Sequence, residues 1–200
     1  ALLGIDVSHH QKGIDWERAR ADGIDFAMIR VGYRGAEQGT LKEDTFFRDN
    51  IAGAAAAGVS VGAYFFSQAT SEEEAVQEAD YVINALSGAA VTMPVTFDIE
   101  EVEGAESRTG NLTPEQVTSF ARAFCDRISE AGYTPMVYAN TRWFIARMDL
   151  EGLSGYGKWL AQYFEAPAYP YEFAMWQYTN TGKVDGVEGD VDMNLAFPAG

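Results

Sequence analysis

The chain has 200 residues, 47% of them apolar, which is enough for one unit with a large core. Thirty acidic residues against fourteen basic ones leave a net charge of −16, which excludes nucleic acid and anionic membrane surfaces as partners because their phosphates repel it. No apolar run reaches the ~18 residues of a membrane span, and the lone Cys125 leaves no internal disulfide.

Strands and helices alternate along the chain. Leu2–Val7 reads as a strand and Asp15–Ala21 as a short helix. Phe26–Val31 is the second strand, followed by a long loop and a helix near Asp44–Ala57. Val59–Phe66 is the third strand. Ser71 with Glu74 three residues on has the capping-box pattern, and Ala75, Ala79, Val82, Ile83 and Leu86 keep helical spacing. Val95–Ile99 is the fourth strand. Thr113, Pro114 and Gln116 open a long helix whose inner stripe is Phe120, Phe124 and Ile128, with Gly132 at its end. Cys125 falls on that stripe, where a thiol acts as a small hydrophobe. Pro135–Ala139 is the fifth strand and Thr141–Arg147 a short helix.

The rhythm then changes. Lys158–Tyr163, Phe173–Tyr178 and Lys183–Leu195 hold strand-like runs with little room for helices between them. Eight strands with about five helices predict an α/β fold: a single barrel over residues 1–200 that starts as regular β/α units and closes with short connections. The strand–helix alternation predicts a parallel sheet, and a doubly wound open sheet is the alternative. The chain opens on Ala1 rather than Met, so removal of an upstream segment is expected.

Phe97-Asp98-Ile99-Glu100 carries the strongest chemical signal. Side chains alternate faces along a strand, so Asp98 and Glu100 project together, with Cα atoms about 6.6 Å apart at a rise of roughly 3.3 Å per residue. Two carboxyls that close do not both ionise freely, and a proton donor beside an anion is the equipment for cleaving an acetal. Strand C-terminal ends of a β/α barrel hold the working residues. Asp6, Arg30, Tyr33, Tyr64, Phe66, Tyr138 and Asn140 stand at such ends, followed by Trp159, Gln162, Tyr163, Trp176, Gln177, Tyr178, Asp190, Asp192 and Asn194. Acids and aromatics thus recur where a cleft belongs, and aromatic faces suit sugar rings while carboxylates and amides suit hydroxyls.

Competing motifs are weak. His9-His10 beside Asp6 invites a metal site, but adjacent residues point opposite ways and no further Cys/His cluster exists. No G-x-G-x-x-G or P-loop follows a strand, and no G-x-S-x-G elbow is present. Neither a metal nor an organic cofactor is expected.

Five segments in register resemble glycoside hydrolase family 25, the muramidases or lysozymes that act on peptidoglycan. They are Gly4-Ile5-Asp6-Val7-Ser8-His9-His10-Gln11 with Ile14-Asp15-Trp16, then Phe26–Tyr33, Tyr64-Phe65-Phe66, and Phe97–Glu100. Trp176-Gln177-Tyr178 and Val191-Asp192-Met193-Asn194 form the closing pattern. The resemblance implies a modified TIM-like barrel of five β/α units closed by three further strands. It implies Glu100 as general acid, Asp98 as its neighbour, either orienting the substrate's N-acetyl group or stabilising positive charge, and Asp6 and Asp192 lining the same cleft. The Val-Asp-x-Asn pattern selects Asp192 over Asp190. Tyr33, Tyr64, Phe66, Tyr138, Trp159, Gln162, Trp176 and Gln177 are expected to contact substrate. The implied substrate is the β-1,4 bond from N-acetylmuramic acid to N-acetylglucosamine. Asp98 and Glu100 on one strand face predict retention through N-acetyl participation, with inversion by Asp6 or Asp192 as base the alternative. The implied setting is a monomer acting on glycan strands outside the cell or in the wall. A chitinase-like barrel is disfavoured because Met93 and Thr96 stand where its longer acidic run requires carboxylates. A barrel that grips glycan without cutting it is the other reading, against which Glu100 speaks.

Overall fold

A computed structural model describes residues 1–102 and 107–197. Strand β1 (Leu2–Val7) leads through a 3₁₀ turn at His9–Gln11 to α1 (Trp16–Ala21). β2 (Phe26–Arg34) and a short β3 (Leu41–Glu43) precede α2 (Phe47–Ala56). β4 (Ser60–Phe66) precedes α3 (Glu72–Ala85), and β5 (Val95–Asp98) precedes α4 (Pro114–Glu130). β6 (Pro135–Asn140) runs directly into α5 (Thr141–Ala146). β7 (Gly157–Ala161), β8 (Met175–Gly182) and β9 (Val191–Ala196) follow without intervening helices. Among the described residues the order is β1-β9-β8-β7-β6-β5-β4-β2, and pairing of β1 with β2 closes it into an eight-stranded barrel. Five β/α units are thus closed by three further strands.

The sheet departs from the sequence expectation in three places. β9 runs antiparallel to both β1 and β8, so the barrel is not wholly parallel. The reason lies in the connection: residues 183–190 form a hairpin link and not the start of a strand, and a short link returns the chain antiparallel. β3 is a ninth strand on the outer edge of β2, within what reads as loop. Three mixed residues, Leu41-Lys42-Glu43, give no periodic signal. β2 itself continues past Val31 to Arg34 through a register shift between Arg30 and Gly32.

Caps fix where strands hand over to helices. Asp15 accepts from Arg18 N–H at 3.1 Å, and Asn140 from Trp143 N–H at 2.9 Å. Thr113 and Gln116 form a reciprocal capping box. At α3 the box is only half made: Ser71 accepts from Glu74 N–H, while the Glu74 carboxylate turns to Thr70 and Arg108. Gly132 takes φ +89° just past α4, a conformation that a side chain resists.

Alternation sorts each strand into two faces. Outward residues, among them Ile5, Ile29, Phe65, Phe97, Val137 and Leu160, pack beneath the helices in the main core. Phe97 meets Phe124 of α4 with ring centres 5.4 Å apart, which seats β5 against its helix. Inward residues Phe26, Met28, Met136, Met175 and Ala196 fill the bore together with Tyr138 and Trp159. Towards the C-terminal ends of the parallel strands, polar residues take over the inward positions.

Candidate active site

Asp6, Asp98, Glu100 and Asp192 line one cavity of about 320 Å³. β1 and β9 bring Asp6 and Asp192 together as register partners. Asp98 is the last residue of β5, and Glu100 follows two positions on. Arg30 from β2 is the cation lining the cavity.

Burial dominates the electrostatics. It raises Asp98 well above the usual carboxyl range, helped by the charge of Glu100, and raises Glu100 as well. A hydrogen bond between the two carboxyls adds to the rise of Asp98 and opposes that of Glu100, which favours a shared proton on Asp98. Asp6 and Asp192 form a second such pair. Burial raises Asp6 against the pull of Asn194 and Gln177, while burial and the Asp6 charge lift Asp192 to about 8. Oδ1 of Asp98 is buried and has no hydrogen-bond partner among the described residues.

Arg30 balances part of this charge. Its Nε donates to Asp44 Oδ2 at 2.8 Å, and its Nη2 contacts His9 Nδ1. Burial alone would raise Asp44, yet the N–H groups of Phe46 and His9 together with Arg30 bring it below the usual range. An ionised Asp44 keeps the guanidinium in place. His10, not His9, lines the cavity, and burial with neighbouring His9 and Arg30 lowers its imidazole, leaving it neutral at pH 7.

Tyr64, Phe66, Tyr138, Trp159 and Gln177 of the expected contact residues also line the cavity. Tyr64 and Tyr138 meet Trp159 edge-on, at 5.9 and 4.7 Å between ring centres. Trp159 is only 1% exposed, so it is the floor under the site and not an open platform.

Three expected residues lie outside the lining. Trp176 neighbours inward Gln177 on β8 and must face the other way; it packs in the outer core and donates to Gln162 O at 2.7 Å. Gln162 ties the link after β7, bonding Thr141 Oγ1 at 3.1 Å and accepting from Ala168 N–H at 2.7 Å. Tyr33 lies past the register shift in β2, against Arg30 at 5.4 Å. Asp190 pairs with Lys183 at the surface, away from the cavity.

Ser8 and Gln11 were not placed in the site from sequence. Tyr163, named among the strand-end residues but not among the expected substrate contacts, lines the cavity two positions beyond inward Ala161. Ser8 and Gln11 form a capping box around the 3₁₀ turn, readable as S-x-x-Q directly after Asp6. Cys125 is fully buried, and burial pushes its thiol up, out of reach of nucleophilic use.

The family model for glycosyl hydrolases family 25 matches residues 5–187. Lysozyme M1 of Streptomyces globisporus is 32% identical over 96% of the chain and 67% of its own length. The crystal structure of the bacterial lysozyme from Streptomyces coelicolor superposes with a TM-score of 0.80 at 26% identity, covering 98% of this chain and 92% of that one. The modular autolysin LytC from Streptococcus pneumoniae, solved in complex with a synthetic peptidoglycan ligand, gives a TM-score of 0.83 at 24% identity. The alignment with LytC covers 96% of this chain but 46% of that one, so the chain spans about half its length.

Proposed function

The chain belongs to glycosyl hydrolase family 25, and on that premise we propose that it is a lysozyme-type muramidase. The bond cut is the β-1,4 linkage between N-acetylmuramic acid and N-acetylglucosamine in bacterial peptidoglycan. The observation that carries this reading is the Asp98–Glu100 pair: two carboxyls two positions apart that line one cavity, both raised above the usual range by burial.

Glu100 acts as general acid on the leaving glycosidic oxygen. An N-acetyl N–H of the substrate donates to the Asp98 carboxyl, which lines the cavity. That bond favours ionised Asp98, so the shared proton settles on Glu100, where the leaving oxygen needs it. The N-acetyl oxygen, oriented by Asp98, then attacks the anomeric carbon as the C–O bond breaks. Water opens the resulting oxazolinium ring, with Glu100 now taking the water's proton, and the β configuration is retained. Asp6 and Asp192 contribute fixed charge near the sugar, where positive character develops in the transition state. Each step uses side chains of this chain and the substrate, so no cofactor is invoked.

In this reading residues 1–200 act as one catalytic unit, a monomer working on glycan strands outside the cell or in the wall. Among the described residues no helix is long and apolar enough to cross a membrane. The test is digestion of purified peptidoglycan, borohydride reduction and mass spectrometry. Reduced muramic acid at the new ends supports the reading. Reduced glucosamine ends, or no cleavage with binding retained, reject it in favour of a different bond or a glycan-binding module.

A further inference from the structure

Gln177 is 2% exposed, and its hydrogen-bonding capacity is used up. Its Oε1 accepts from the hydroxyls of Tyr138 at 2.8 Å and Tyr163 at 2.9 Å. Its Nε2 donates to Asp6 Oδ2 at 2.8 Å and to Asp192 Oδ2 at 3.2 Å. A side-chain amide offers two lone pairs and two N–H groups, and all four are engaged. No capacity is left for a sugar hydroxyl, so the contact role expected of Gln177 does not fit.

Asn194 repeats the arrangement on the other side of Asp6. The indole N–H of Trp159 can only donate, so Asn194 Oδ1 faces it, at 2.7 Å. Asn194 Nδ2 is thereby turned to Asp6 Oδ2, at 2.8 Å. Asp6 receives two amide N–H bonds and Asp192 one.

We propose that Gln177 is a positioning residue for the glycosidase reaction: Tyr138 and Tyr163 hold its amide with the N–H groups toward Asp6 and Asp192, and this keeps the charge of that pair on Asp6. The inference rests on the muramidase reading. A charge fixed before substrate arrives stabilises a developing cation without reorganisation, whereas a mobile proton between two carboxyls would spread it. The other groups facing the pair are Arg30 from β2, Tyr64 from β4, Asp98 and Glu100 at the end of β5, Tyr138 from β6, Tyr163 after β7 and His10 after β1. Arg30 is bound to Asp44, so nothing nearby replaces the lost amide bonds.

Two variants test the proposal. Gln177→Met keeps the length and removes all four bonds. The Tyr138→Phe/Tyr163→Phe double variant leaves Gln177 in place but frees its amide to turn over. Two readouts apply: the pH profile of kcat and KM on soluble peptidoglycan fragments, and the carboxyl titration of Asp6 by carbon-13 NMR. The expected result for Gln177→Met is a fall in kcat of about tenfold or more with KM nearly unchanged, the pattern of an interaction used in the transition state. Asp6 should titrate at higher pH, because one of the two amide N–H bonds that favour its anion is gone. The tyrosine pair should move both readouts the same way by less. A folded Gln177→Met with wild-type kcat and unmoved Asp6 titration overturns the proposal, as does a raised KM with kcat preserved. If Gln177→Met fails to fold, the tyrosine pair decides by the same criteria. A shifted Asp6 titration in a protein that leaves peptidoglycan intact supports the positioning and refutes the muramidase reading.

Discussion

Asp6 and Asp192 stand directly opposite each other in the antiparallel ladder between β1 and β9. The first and last strands meet because the barrel closes there, and closure is what completes the four-acid cavity. Burial raises the acids of both pairs, and the two pairs face a common space.

Replacing the proton donor tests the centre of the mechanism. Glu100→Gln keeps the shape of the side chain but cannot protonate a leaving oxygen. Peptidoglycan cleavage should fall by about 10²–10⁴-fold, with circular dichroism and melting unchanged. A folded variant that keeps most of its rate removes Glu100 from that role.

Stereochemistry separates N-acetyl participation from direct attack by water. Asp98 and Glu100 are hydrogen-bonded neighbours, whereas an inverting acid and base stand roughly 6.5–9.5 Å apart across the sugar. The first-formed product, followed by proton NMR before mutarotation, should be the β-anomer. An initial α-anomer rejects retention and makes Asp6 or Asp192 the base.

Stability should depend on pH through the acids whose folded pKa lies above the unfolded value. Asp192 titrates at about 8 and Glu78 at about 7 in the folded chain, against roughly 4 when unfolded. The folded state holds more protons across that window, so the contribution of these groups is complete below pH ~4 and lost as pH rises to ~8. Urea midpoints at pH 5 and pH 8 measure it. Asp192→Asn cannot titrate, so its midpoint should fall less between the two pH values than the wild-type midpoint. Equal changes in both proteins would show that Asp192 has no raised pKa.

The Arg34–Glu78 pair supplies a prediction away from the chemistry. Arg34 Nε donates to Glu78 Oε1 at 2.8 Å, with both side chains buried, and Arg34 also bonds the carbonyls of Gly39 and Glu74. Glu78→Leu leaves a guanidinium that cannot lose its charge. Urea unfolding at pH 8, above the raised pKa of Glu78, should show a loss of about 3–5 kcal/mol, the cost of breaking a buried pair from one side. A loss below about 1 kcal/mol would mean that the pair is not buried in solution.

Much of the fold could be read locally. The period-two pattern of Val95–Asp98 and the helical stripe of Phe120, Phe124 and Ile128 each sit within one element, because burial of one face imposes them. The same parity should have separated Gln177 from Trp176, since adjacent strand residues cannot both face the bore. Leu41–Glu43 was illegible because a three-residue edge strand has too few positions to show a period.

By itself the sequence determined the alternating β/α units, the three helix-free closing strands and the D-x-E pair at the end of β5. These follow from side-chain patterning and spacing over a few residues. Only the tertiary structure decided that β9 runs antiparallel, that Asp6 faces Asp192, and that Gln177 is consumed by protein groups instead of substrate. The bonds from Asp6 to Gln177 and Asn194 join residues 171 and 188 positions apart. No local pattern encodes them, because barrel closure alone brings those side chains into contact.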